Sequence, residues 1–251
     1  AYGFIYPANL ELLTALGAEL RFFSPVAGDP LPDCDAIWLP GGYPELHAHT
    51  LTARADLWQA LQAHVDAGKP LLAECGGMMS LFEEVVDKTG ACHRFAGLLT
   101  GRSVMQPRLT ALGTQFAEFP EGRIAGHTFH YSRSETSLIP LLHARTQQDQ
   151  PGEAIYRREA LTASYVHFYF PSNPAATAAL SPGANYSYFT NNKIETPLFF
   201  ETQDTAKVAA QSCPKETRMN KFLAMAAAVI IGFTLNINDA EAKRLGGGGS
   251  S

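Results

Sequence analysis

The stretch Lys-Pro-Leu-Leu-Ala-Glu-Cys-Gly-Gly-Met-Met-Ser-Leu, residues 69–81, sets a thiol between a short apolar run and an amphipathic pattern. A strand that turns sharply into a helix lifts its turn residue above the sheet edge, the geometry of a nucleophile elbow. The crowded backbone of such a turn requires small neighbours, which Ala73, Gly76 and Gly77 supply. A cysteine at a helix N-terminus also feels the positive end of the helix dipole, so Cys75 is expected to be exposed and partly ionised. The N–H of Gly76, next after the thiol, is placed to stabilise an oxyanion. A plain buried thiol beside a helix-packing glycine pair is the alternative, and the residues alone leave it open.

A thiol nucleophile needs a base, and the chain has eight histidines. His64 lies in a helical pattern and His143 in a polar stretch, so both are expected at the surface. His167 stands near the end of an apolar run, in Ala-Ser-Tyr-Val-His-Phe-Tyr-Phe-Pro-Ser-Asn-Pro, just ahead of a turn. A base on a neighbouring strand would reach the sheet edge from there. A strand histidine bonded only to backbone is an equally open reading. A second glycine pair, Gly41-Gly42, precedes Tyr43 and Glu45, which are candidates for a substrate pocket. For Glu45 the alternative is a first-turn acid favoured by the helix dipole. Glu74, just before the thiol, reads as an elbow residue directed off the sheet edge.

These residues need elements to carry them. An apolar, aromatic run at 2–6 and segments at 19–23, 36–39 and 71–74 predict strands, and leucines at helical spacing predict helices over 7–17 and 53–67. Such alternation predicts an α/β domain with a parallel sheet and helices on both faces. Working residues in such sheets sit at the carboxyl ends of strands, where both Gly41-Gly42 and Cys75-Gly76-Gly77 fall. From 100 to 170 the pattern is less regular, with alternation suggesting further strands. Hydrophobic content of 46% over 251 residues suits one such domain with an appendage. The net charge of −5 offers no basic face for a nucleic acid or an anionic membrane, so neither is expected as a partner. Cys34, Cys75, Cys92 and Cys213 are irregularly spaced, with no CxxC pair. No disulfide framework and no metal site are expected, a reducing cytoplasmic setting fits, and Cys34 and Cys92 default to buried thiols.

Five segments occur in one order: LPGGYPELHAHTL, PLLAECGGMMSL, RLTALG, GHTFHYS and ASYVHFYFPSNP. Together they resemble the C-terminal glutaminase domain of the cobyrinic acid a,c-diamide synthases, over about residues 1–179. The resemblance implies a flavodoxin-like, class I glutamine amidotransferase fold. It implies that Cys75 attacks the carboxamide of glutamine, that His167 is the general base and acid, and that backbone N–H groups in the Gly41-Gly42 turn and at Gly76 form the oxyanion hole. In the family the released ammonia passes to an ATP- and magnesium-dependent synthetase domain, which amidates carboxylates a and c of a corrinoid. Related nickel-sirohydrochlorin a,c-diamide synthases and cobyric acid synthases are rival assignments, and a non-catalytic flavodoxin-like interaction module is an alternative of another class. Homo-oligomer formation is left open.

Three departures qualify the resemblance. No GxxxxGK[ST] phosphate loop is present, and the chain starts inside what reads as the first strand, so it is expected to be a glutaminase piece without its synthetase half and without a cofactor of its own. Tyr169 stands two residues after His167, where many class I amidotransferases have Glu, which leaves a Cys–His dyad and an unassigned imidazole partner. Thr128 stands in GHTFHYS where the family usually has Glu, and His127 and His130 read as polar packing. After 180, residues 181–218 show no period and read as a linker. Residues 219–251 have the layout of a signal peptide, with an apolar run over 222–235 and Ala240-Glu241-Ala242. Their end resembles the Gly-rich start of bacterial Tim44-like proteins. A second reading frame and a poorly ordered tail are expected there.

Overall fold

A computed structural model describes residues 1–180. The expectations for 181–218 and 219–251, with the Tim44-like resemblance and the poorly ordered tail, lie outside the described residues. In chain order the elements are α1 (Pro7–Ala15), β1 (Ile37–Leu39), a 3-10 turn (Pro44–His47), α2 (Ala48–Thr52), α3 (Ala55–Asp66), β2 (Leu71–Glu74) and α4 (Gly76–Met79). There follow β3 (Phe82–Val86), β4 (Cys92–Arg94), β5 (Leu99–Met105), β6 (Ala111–Phe119), β7 (Gly122–His130), β8 (Ser132–Glu135), β9 (Leu142–Thr146), β10 (Pro151–Arg158), β11 (Leu161–Ser164) and β12 (His167–Phe168). A second 3-10 turn (Phe170–Ser172) and α5 (Pro174–Ala179) end the described chain.

The main sheet has eight strands in the order β1-β2-β11-β10-β9-β6-β7-β12, and a four-stranded sheet runs β4-β3-β5-β8. The flavodoxin-like α/β core is present, but the main sheet is mixed. Only β1-β2 and β2-β11 pair in parallel there, and the strands from β11 through β12 pair antiparallel. Burial explains why the two parts read differently in sequence. All four residues of β2 are buried, so its first three are continuously apolar, whereas β7 alternates between buried and half-buried positions. The faces of β2 serve separate cores. Leu71 and Ala73 join Leu57, Leu61 and Val65 of α3, while Leu72 joins Ile124, Ile155, Val166 and Phe168. Each of these Leu, Ile, Val and Phe side chains stabilises the fold by roughly 1.5–3 kcal/mol when fully buried.

Two predicted strands do not form. Residues 2–6 make one bridge, Phe4 to Gly41, and their aromatic character serves ring packing: Phe4 lies 4.4 Å from the His167 ring and Tyr6 5.8 Å from Tyr169. Residues 19–23 have the alternation but no partner strand, and Phe22 is 70% exposed. The helix predicted over 53–67 starts at Ala55, after α2 has ended at Thr52. His64 is buried rather than at the surface, because its Nε2 lies 3.0 Å from the Pro70 carbonyl and ties α3 to the start of β2. Cys34 is half-buried and Cys92, on the strand β4 at the edge of its sheet, is exposed, so neither is the buried thiol expected. The main sheet curls until its ends approach, with Trp38 of β1 5.0 Å from Phe170 just beyond β12.

Candidate functional site

Cys75 stands between β2 and α4 with φ 46° and ψ −108°. Positive φ is rare for a residue with a side chain and marks a strained turn, as at a nucleophile elbow. The turn is locked by Cys75 N–H donating to the Ser164 carbonyl at 2.8 Å and by Met79 N–H donating to the Cys75 carbonyl at 2.9 Å. The glycines are needed because backbones converge. A Cβ on Gly76 would sit 2.4 Å from the Gly42 carbonyl oxygen, and one on Gly41 would sit 2.1 Å from Cε1 of His167. The contacts thus run from the imidazole to Gly41, from Gly42 to Gly76, and so to the residue after the thiol. The structure brings Cys75, His167, Gly41, Gly42 and Gly76 together. Phe4 N–H donating to the Gly41 carbonyl (3.0 Å) and Tyr43 N–H donating to the Ala1 carbonyl (2.8 Å) pin the glycine turn.

The electrostatics differ from the sequence reading. Cys75 is buried, and burial pushes its thiol up to about 12, with only the Gly76 N–H pulling the other way. The helix dipole does not prevail because α4 has only four residues. His167 is 3% exposed, and burial, then the neighbouring His127 and His130, drive its imidazole down to about 3. The resting pair is therefore neutral thiol and neutral imidazole, not exposed and partly ionised. Nδ1 of His167 is buried without a hydrogen-bond partner among the described residues.

Tyr43, next after the Gly41-Gly42 turn, is 40% exposed. Glu45 is half-buried, its Oε2 is buried without a partner among the described residues, and burial raises its carboxyl above the usual range. Its charge also bears on Cys75. His127 faces His167 across the β7–β12 pair. His130 is buried, stacked 3.8 Å from Tyr165, with Nδ1 2.8 Å from the Ser132 carbonyl and Nε2 2.9 Å from Glu153.

Glu153 and Asn9 escaped the sequence reading, and Glu74 was misread. Glu153 on β10 accepts from the Thr128 hydroxyl at 3.2 Å. Glu74 does not point off the sheet edge. It is 2% exposed, bonded to Trp38 and Phe168, and burial raises it to about 8. Asn9 of α1, fully buried, bonds the backbone next to His167. Nothing local in the sequence signalled the inward turn of Glu74. Its partners lie 36 and 94 residues away. Among the described residues no cluster of three or more His, Cys, Asp or Glu could hold a metal ion, and no helix is long and apolar enough to cross a membrane.

Residues 2–175 match the family of CobB/CobQ-like glutamine amidotransferase domains. A hydrogenobyrinate a,c-diamide synthase of Stutzerimonas stutzeri (strain A1501) is 51% identical over 181 residues, covering 72% of this chain and 42% of that protein. A cobyrinate a,c-diamide synthase of Herminiimonas arsenicoxydans is 44% identical over 183 residues, again covering 72% of this chain and 42% of the relative. The matched part is thus about two-fifths of the relatives' length. A crystal structure of a glutamine amidotransferase superposes over 73% of this chain and 93% of its own, with a TM-score of 0.51 and 17% identity, a likeness of fold.

Proposed function

Because the chain belongs to the family of CobB/CobQ-like glutamine amidotransferase domains, we propose that it hydrolyses glutamine at Cys75 and supplies the ammonia for amidation of carboxylates a and c of hydrogenobyrinate or cobyrinate. The strained Cys75 turn, packed through glycine backbones onto a buried neutral histidine, is the observation that carries this reading. As Sγ bonds to the carboxamide carbon, its proton moves to His167, which starts the cycle as a base. The carbonyl oxygen becomes an oxyanion, for which the N–H of Gly76 and those of the Gly41-Gly42 turn are the candidate donors. His167 then gives the proton to the departing nitrogen, the C–N bond breaks, and ammonia leaves a glutamyl thioester. Water, deprotonated by His167, cleaves the thioester to glutamate and restores the thiol.

Glu45 receives the α-ammonium of glutamine, which gives its unpartnered buried oxygen an ion pair. ATP and magnesium belong to the synthetase reaction that consumes the ammonia, in a cytoplasmic setting. The test is covalent trapping of the full chain by a diazo-ketone analogue of glutamine, mapped by mass spectrometry. An adduct on Cys75, blocked by excess glutamine and lost in His167→Ala, supports the reading. A folded chain left unlabelled would favour a non-catalytic interaction module.

A further inference from the structure

His167 lies on a strand two residues long at the end of the main sheet, which is little main chain to hold a base still. On one side β12 pairs with β7, and just past it Tyr169 N–H donates to the Ala125 carbonyl at 2.8 Å. Backbone groups alternate in direction along a strand, so Phe168 and Phe170 present theirs to the other side. Side chains replace a neighbouring strand there. Glu74 Oε1 accepts from Phe168 N–H at 3.0 Å, Asn9 Oδ1 accepts from Phe170 N–H at 2.9 Å, and Asn9 Nδ2 donates to the Phe168 carbonyl at 2.8 Å. The second oxygen of Glu74 accepts from Nε1 of Trp38 at 3.1 Å. One carboxyl therefore touches the residue after the base and a β1 residue three before Gly41, and it is carried by the residue before the thiol.

The geometry points to Glu74 as a positioning residue, whose carboxyl fixes the strand ends bearing Gly41, Cys75 and His167 relative to one another. This rests on the glutaminase reading above. The clamp is specific because both donors are N–H groups and each needs an oxygen lone pair, which the ionised carboxylate offers at both ends, so labelling is compared at pH 9, above the raised value of about 8. An amide offers one oxygen and an NH2, so in E74Q an N–H group meets an N–H group at one end. Removing the indole donor with Trp38→Phe relieves that conflict, since the amide oxygen can then take Phe168 N–H while its NH2 faces the vacated side. Glu74 touches no substrate in this account and acts through the backbone of β12.

The experiment is the kinetics of labelling of the full chain by the diazo-ketone glutamine analogue, with thermal melting as the check on folding. Wild type labels on Cys75. E74Q is expected to label at least about tenfold more slowly at saturating analogue, with little change in half-saturating concentration. W38F loses less than about threefold, and W38F/E74Q returns to near the W38F rate, faster than E74Q alone. An E74Q rate equal to wild type overturns the proposal. So does a folded double variant that labels no faster than E74Q, or one that regains stability without regaining rate, because the carboxyl would then act by packing alone. If E74Q does not fold, the double variant against W38F decides. An unlabelled wild type overturns the glutaminase reading itself and the positioning role with it, a failure distinct from any seen only in the variants.

Discussion

At the thiol, burial outweighs everything the turn does to favour the anion, and at the imidazole it outweighs everything that would favour the cation. Proton transfer is therefore part of the attack and not a step before it. Iodoacetamide, which does not bring its own binding contacts, is expected to alkylate Cys75 slowly at pH 7, with a rate still rising at pH 9. The diazo-ketone analogue, by contrast, labels readily at neutral pH. A low-pH plateau in alkylation by iodoacetamide would instead reveal a preformed thiolate. Glu45→Gln is expected to raise the half-saturating analogue concentration roughly 10–100-fold, the worth of about 1.5–3 kcal/mol for a hydrogen bond to a charged group, with a smaller effect on the saturated rate. The strand–turn–helix junction at Cys75 was legible in the sequence from the small residues Ala73, Gly76 and Gly77, although they left open a plain buried thiol. Its ionisation was not, because that depends on how much tertiary structure covers it.

Among the elements, α1 and β12 depend on each other. Asn9→Ala would leave the Phe168 carbonyl and the Phe170 N–H buried and unpaired, at roughly 1–3 kcal/mol for each group. Urea unfolding is expected to show a loss of at least about 2 kcal/mol, with slower labelling of Cys75 because the strand of His167 loosens. Gly76→Ala drives a Cβ to 2.4 Å from the Gly42 carbonyl oxygen, so the two glycine turns must separate. A loss of about 1–3 kcal/mol and a sharp fall in labelling are expected, measured by melting and by trapping. The helices α1 and α3 and the strands β1 and β2 were readable because their apolar spacing has one structural meaning. Residues 2–6 misled because aromatic rings that wall an imidazole carry the same apolar signature as a strand. The antiparallel half was blurred because its strands, such as β7, are half-buried and their partners lie far along the chain. Glu74 was unreadable, since nothing local separates a carboxyl directed to solvent from one turned inward onto a distant amide.

For the molecule as a whole, the buried imidazoles and the buried Glu74 carboxyl give opposing responses to acid. The folded value for His167 is depressed from 6.5 to about 3, so its stabilising share is complete above about 6.5 and is lost as pH falls toward 3. His127 and His64, also depressed by burial, add the same sign. Glu74, raised from 4.5 to about 8, acts in the opposite sense as pH falls to 4.5, so the denaturation midpoint is expected to fall mainly below about 4.5, and less steeply in His167→Leu, as followed by urea titration at a series of pH values. The side-chain clamp on β12 has a separate consequence, for association. A terminal strand normally invites another chain to add to its open side, which is how edges recruit partners or seed aggregates. Here the groups that would greet an incoming strand are already occupied by Glu74 and Asn9, so the β12 border that carries His167 is closed to β-addition.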